Sequence, residues 1–106
     1  MCSEQEREDG VKTVSVIIPN TDSLQIGRIL DALRNQRTDL SQVEVLVVGT
    51  DAPGLVQEDD LVRLIPTAPA MYASDKRNLG MHTARGNILL FLDDDCIPYP
   101  GWLRCH

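Results

Sequence analysis

Four mostly apolar runs, 14–18, 43–48, 61–65 and 87–92, the first two rich in β-branched residues, limit how this chain can fold. Val14-Ser15-Val16-Ile17-Ile18 and the run from Val43 to Val48 are nearly continuous in apolar character. A strand with one wet face alternates, whereas one covered on both faces reads as a continuous run. Turn formers stop each of the first three: Pro19, then Gly49-Thr50-Asp51-Ala52-Pro53-Gly54, then Pro66. Between the first two runs, Ile26, Ile29, Leu30 and Leu33 follow the i, i+3, i+4, i+7 spacing of a core-facing helix. Asp22 or Ser23 is its expected cap, and Arg28, Asp31 and Arg34 face outward. A second helix is expected from a Ser74 cap to Arg85-Gly86, with Gly86 left-handed at its end and Arg85 on the helix dipole.

The order strand, helix, strand, strand, helix, strand predicts an α/β fold with an open, mostly parallel four-stranded sheet flanked by helices. Right-handed crossovers place all four strand C-termini on one edge, where such sheets bind ligands. Pro19-Asn20-Thr21, Gly49-Thr50-Asp51, Pro66-Thr67 and Asp93-Asp94-Asp95 should therefore share one site.

With 106 residues and 42% hydrophobic content, the chain suffices for one core. Residues 1–11 read as a disordered acidic tail, leaving 12–106 as the folded unit. The net charge of -6 argues against a nucleic-acid partner, which calls for a basic face. No apolar stretch approaches the ~20 residues of a membrane span, and the acidic start is unlike a signal peptide, so a cytoplasmic location is expected. Cys2, Cys96 and Cys105 lack CxxC or zinc spacing and are expected as reduced thiols. His82, on the second helix, and the terminal His106 are expected to be solvated, as is Lys76.

The acidic triplet follows the apolar run Ile88-Leu89-Leu90-Phe91-Leu92 directly. At an effective dielectric of ~20, two unit charges about 4 Å apart repel by roughly 4 kcal/mol, which a bound cation offsets. Alternation along an extended segment should turn Asp93 and Asp95 to one side and leave Asp94 as a spacer pointing to the other.

Val14 to Pro19, Val45 to Val48, Lys76-Arg77-Asn78-Leu79-Gly80, Ala84-Arg85-Gly86 and Phe91-Leu92-Asp93-Asp94-Asp95 together resemble family 2 glycosyltransferases, over residues 13 to about 103. The resemblance implies the Rossmann-like, nucleotide-sugar-binding half of a GT-A fold. It also implies a D-x-D element in which Asp93 and Asp95 hold Mg2+ or Mn2+ against the diphosphate of a UDP- or GDP-sugar. Pro19 and Thr21 match the first nucleoside-contacting loop, and Arg77 and Asn78 match a pair beside the donor. Where the family commonly has Asp after the second strand, this chain has Gly49; Asp51 either substitutes or is a plain turn residue. The acceptor site and catalytic base belong, in the family, to a half beyond the D-x-D strand. No catalytic residue is therefore assigned, and transfer, with inversion, is expected of a longer protein.

Trp102 and Leu103 are expected to need cover, which makes the C-terminal edge a place for self-association or a partner. Two alternatives stand beside a donor-binding role. One is a non-catalytic, degenerate GT-A module kept for interaction. The other is a haloacid-dehalogenase-type phosphatase with Asp93 as nucleophile, against which Ile97 and the late position of the motif count.

Overall fold

The computed structural model describes residues 13–105. The acidic tail expected over 1–11, Cys2 and His106 lie outside them. Strands β1 (Val14–Thr21), β2 (Val43–Thr50), β3 (Val62–Pro66) and β4 (Ile88–Phe91) form one sheet in the order β3-β2-β1-β4, every pair parallel. Helix α1 (Ile26–Arg34) joins β1 to β2, and α2 (Ala73–Thr83) joins β3 to β4. A 3-10 turn spans Leu103–Cys105. Neither helix is long and apolar enough to cross a membrane.

Alternation along the central strands divides the core into two layers. Val16 and Ile18 of β1, with Val43, Val45 and Val47 of β2, pack on the α1 stripe Ile26, Ile29, Leu30 and Leu33. Ile17, Leu46 and Val48 point the other way and meet Leu79 on the α2 side. Val16, Ile17, Ile18, Val45, Leu46, Val47 and Val48 are fully buried, which explains their unbroken apolar run. Burying each such side chain is worth about 1.5–3 kcal/mol.

β1 does not stop at Pro19, which pairs in register with Val48. The Ile17 carbonyl takes the N–H of Leu92, and β4 ends at Phe91. By alternation, the missing Pro19 N–H falls beyond the end of β4, so no ladder bond is lost.

α1 starts at Ile26 without a side-chain cap. Of the expected caps, Asp22 Oδ1 accepts the Ala52 N–H instead, while Ser23 Oγ accepts the Gln25 N–H just ahead of α1 and at the same time donates to the Asp94 carbonyl. α2 starts at Ala73 without a side-chain cap and ends at Thr83, before the expected Gly86. Gly86 serves a close approach instead, since a Cβ there would lie 2.6 Å from Ser15 Oγ. Arg85 likewise pairs with Glu44 (3.2 Å) beyond the helix end. The C-terminal segment supplies its own cover. Leu103 is buried in the α1 layer with Trp102 packed beside it, and Gln36 bonds the Leu103 N–H and the Tyr99 carbonyl.

The buried Glu44 carboxylate accepts from Ser15 Oγ, the Arg85 N–H and the Arg85 guanidinium. Burial pushes its pKa up, but the Arg85 N–H, the Ser15 hydroxyl and the Arg85 charge outweigh this and hold it below the ordinary glutamate value. A lowered folded-state pKa gives stability that is complete above the ordinary value of about 4.3 and lost as pH falls through the folded value. Glu44→Gln should therefore destabilise at pH 7 and flatten the loss of stability below about pH 4.3, read by urea unfolding across pH.

α2 reaches the sheet through Gly80, where a Cβ would sit 2.5 Å from Ile17 Cγ2. Gly80→Ala gains up to ~1 kcal/mol in helix propensity but overpacks the layer by about 1–3 kcal/mol. A net loss of about 1 kcal/mol is expected, seen as a lower urea midpoint.

Candidate functional site

At the C-terminal edge of the sheet, β1 continues to Thr21 while β4 stops at Phe91. The notch beyond β4 holds a cleft of about 220 Å3 lined by Pro19, Thr21, Ala73, Lys76, Arg77, Asp93, Asp94 and Asp95. The cleft lies where the strand order reverses, between β1 and β4.

The expected residues Pro19, Thr21, Arg77, Asp93 and Asp95 come together here. Asp93 and Asp95 converge, but by a turn rather than by strand alternation: the Cys96 N–H bonds the Asp93 carbonyl at 3.3 Å. Ligating atoms of Asp93, Asp95 and Cys96 all lie within 4.8 Å of one another. The Cys96 thiol donates to Asp95 Oδ1 (3.5 Å). That bond and the neighbouring carboxylates push its pKa up, so the thiol is not an activated nucleophile. Two exposed carboxylates remain, and such oxygen donors suit a hard divalent cation such as Mg2+ or Mn2+.

Arg77 Nη2 sits 3.3 Å from Asp93 Oδ1, an exposed pair of little intrinsic worth. Both partners thus remain open to exchange, the carboxylate for a cation and the guanidinium for an anion. Asn78 is exposed on α2 and does not line the cleft. Asp51 stays on the loop after β2, where its two carboxylate oxygens accept the Leu55 and Val56 N–H groups. It shapes that loop, and the loop's Leu55 and Val56 then pack on the α1 layer. Gly49 has φ +144°, and a Cβ there would lie 1.8 Å from the Asn20 carbonyl oxygen, so this backbone has no room for an Asp at that position.

Two residues have other positions than the sequence suggested. Lys76 is not solvated: it is 1% exposed, and its Nζ donates to the Asn20 carbonyl (2.8 Å) and Thr21 Oγ1 (2.6 Å). A glycine inside a helix was the available signal, because Gly80 marks the face that touches the sheet and Lys76 lies one turn earlier on that face. Asp94 is more than a spacer. Its Oδ2 accepts the Thr21 N–H (3.2 Å) and its carbonyl accepts Ser23 Oγ (2.7 Å), fastening the acidic turn to β1. Asp22, at φ 52°, ties the same loop to the one after β2. Asp is among the residues that tolerate this left-handed region.

In fold, residues of this chain superpose on S. aureus TarS with a TM-score of 0.70 at 22% identity, covering 88% of this chain and 18% of that one. S. aureus TarS 1-349 in complex with UDP gives 0.69 at 20% identity, over 88% and 30%. These likenesses show the GT-A architecture. Glycosyltransferase AglE of Haloferax volcanii is 37% identical over 102 residues, 86% of this chain and 33% of that protein. The chain thus spans about a third of that relative's length. Residues 15–105 match glycosyl transferase family 2, and the chain belongs to that family.

Proposed function

We propose that this chain is the donor-binding part of a glycosyltransferase and takes a nucleoside diphosphate sugar, with UDP or GDP as nucleotide, through Mg2+ or Mn2+ held by Asp93 and Asp95. The observation that carries the reading is the convergence of these two carboxylates with Arg77 and Thr21 on one cleft at the sheet edge, in a family 2 chain. A solved relative in fold, TarS 1-349, is a UDP complex, which supports the same ligand class here.

In this reading Asp93 and Asp95 would hold the cation, and Arg77, which pairs with Asp93 at 3.3 Å, would be available to a diphosphate oxygen. The cation, when bound, offsets the charge that builds on the leaving diphosphate. Pro19 and Thr21, which line the cleft, meet the nucleoside in this reading, whereas Asn78, next to Arg77 on α2 but outside the cleft lining, is given no contact. Transfer of the sugar to an acceptor, with inversion at the anomeric carbon, extends this reading through the family, and none of the described residues is assigned to that step. The phosphatase alternative has no support in the family match.

Calorimetric titration tests the donor site. UDP or GDP should bind in the presence of Mn2+ and lose most of its affinity when the metal is chelated. Asp93→Ala and Asp95→Ala should each weaken binding at least ~tenfold, because each removes a hard oxygen donor. Affinity unchanged in Asp95→Ala would remove the metal assignment, and no nucleotide affinity at all would favour the non-catalytic module.

A further inference from the structure

Lys76 is a buried cation to which the reading above gives no task. None of the ion pairs among the described residues includes it, and its partners are two neutral oxygens, the Asn20 carbonyl and Thr21 Oγ1. Burying an ammonium without a carboxylate is costly, so its retention at 1% exposure in the wall of the cleft needs a physical reason. The hydrogen bonds that continue from it supply one. Thr21 accepts from Lys76 through Oγ1 and donates its backbone N–H to Asp94 Oδ2. Asp94 is flanked on both sides by the carboxylates that converge at the cleft.

We infer that Lys76 is a positioning residue: through Thr21 and Asp94 it holds the acidic turn against β1, and it turns the Thr21 hydroxyl into a donor toward an acceptor-rich ligand. The first part follows from the unbroken path from Nζ to Thr21 and on to Asp94, reinforced by the bond from Ser23 Oγ to the Asp94 carbonyl. The second follows from hydroxyl chemistry. An oxygen that accepts from an ammonium, which has no acceptor capacity, keeps its own proton to give, and Thr21 lines the cleft. Asn20 completes the frame. Its carbonyl is held by Lys76, its side-chain amide donates to the Thr50 carbonyl, and its Oδ1 accepts the Ser23 N–H. The ammonium thus sits beneath the part of β1 that extends beyond β4, and it joins α2 to that loop by polar bonds where α2 has no apolar stripe.

The nucleotide part of this inference rests on the donor-site reading; the positioning part does not. Lys76→Met, Thr21→Val and the double variant separate them, in the full chain. By amide exchange without ligand, Lys76→Met should speed exchange at Thr21 and Cys96 about tenfold while Val45 and Val47 in β2 keep their protection. Equal acceleration everywhere, or none at Thr21, overturns the positioning role. In calorimetry with UDP and Mn2+, each single variant should bind about tenfold more weakly, and the double variant no more weakly than Lys76→Met alone, since both act through one bond. Losses that multiply, or wild-type affinity in Lys76→Met, overturn the role in ligand binding. If wild type binds no nucleotide, the donor-site reading fails with the ligand part, and amide exchange still decides the positioning part. If Lys76→Met does not fold, Thr21→Val decides: unchanged UDP affinity together with unchanged Cys96 protection overturns the inference.

Discussion

β1 bonds β2 along its whole length, from Val14↔Val43 to Thr21↔Thr50, but bonds β4 only from Val14↔Ile88 to Ile17↔Phe91. The cleft depends on that unequal pairing. On the β2 side the extended part of β1 is fixed by ladder bonds, while on the β4 side it is free of a strand and faces the acidic turn. Pro19, which donates no N–H, sits in the part with no ladder partner on the β4 side. A β4 four residues longer would demand the bond that Pro19 cannot make and would fill the notch.

Polar side chains from two loops and from α2 then brace that free segment. Asp22 ties it to the loop after β2, Asp94 and Ser23 tie it to the acidic turn, and Lys76 ties it to α2. Such bracing suits a site that must bind charge, because groups held before the ligand arrives cost no ordering on binding. The two layers beneath serve the same end differently. α1 is held by a fully apolar stripe, and α2 by the close approach of Gly80 and by the inserted Lys76. α2 can therefore carry Arg77 at its exposed side without giving up its hold on the sheet.

Residue patterns made most of the architecture legible. The apolar runs located all four strands to within a few residues, and the Ile26-Ile29-Leu30-Leu33 spacing located α1. Element ends were less legible. Asp22 has the chemistry of a helix cap, but the loop after β2 offers it the Ala52 N–H, whereas Ser23 meets the Gln25 N–H ahead of α1 and donates to the Asp94 carbonyl as well. Pro19 reads as a strand terminator and is one only where a neighbouring strand would need its N–H. Trp102 and Leu103 are covered by the α1 layer and Gln36, and the Gln36–Leu103 bond joins residues more than sixty positions apart in sequence.

By itself the sequence determined the α/β class, the parallel sheet and the meeting of Pro19, Thr21, Asp93 and Asp95 at one edge. Hydrophobic period and strand order suffice for these, because they follow from local pattern and chain connectivity. Only the tertiary structure decided that Lys76 is buried, that Asp94 clamps the turn, that Asp51 is spent on its own loop and that Gly49 leaves no room for a carboxylate. Each of these depends on which group of a distant segment lies within about 3 Å, and spacing along a chain carries no such information for polar side chains with several possible partners.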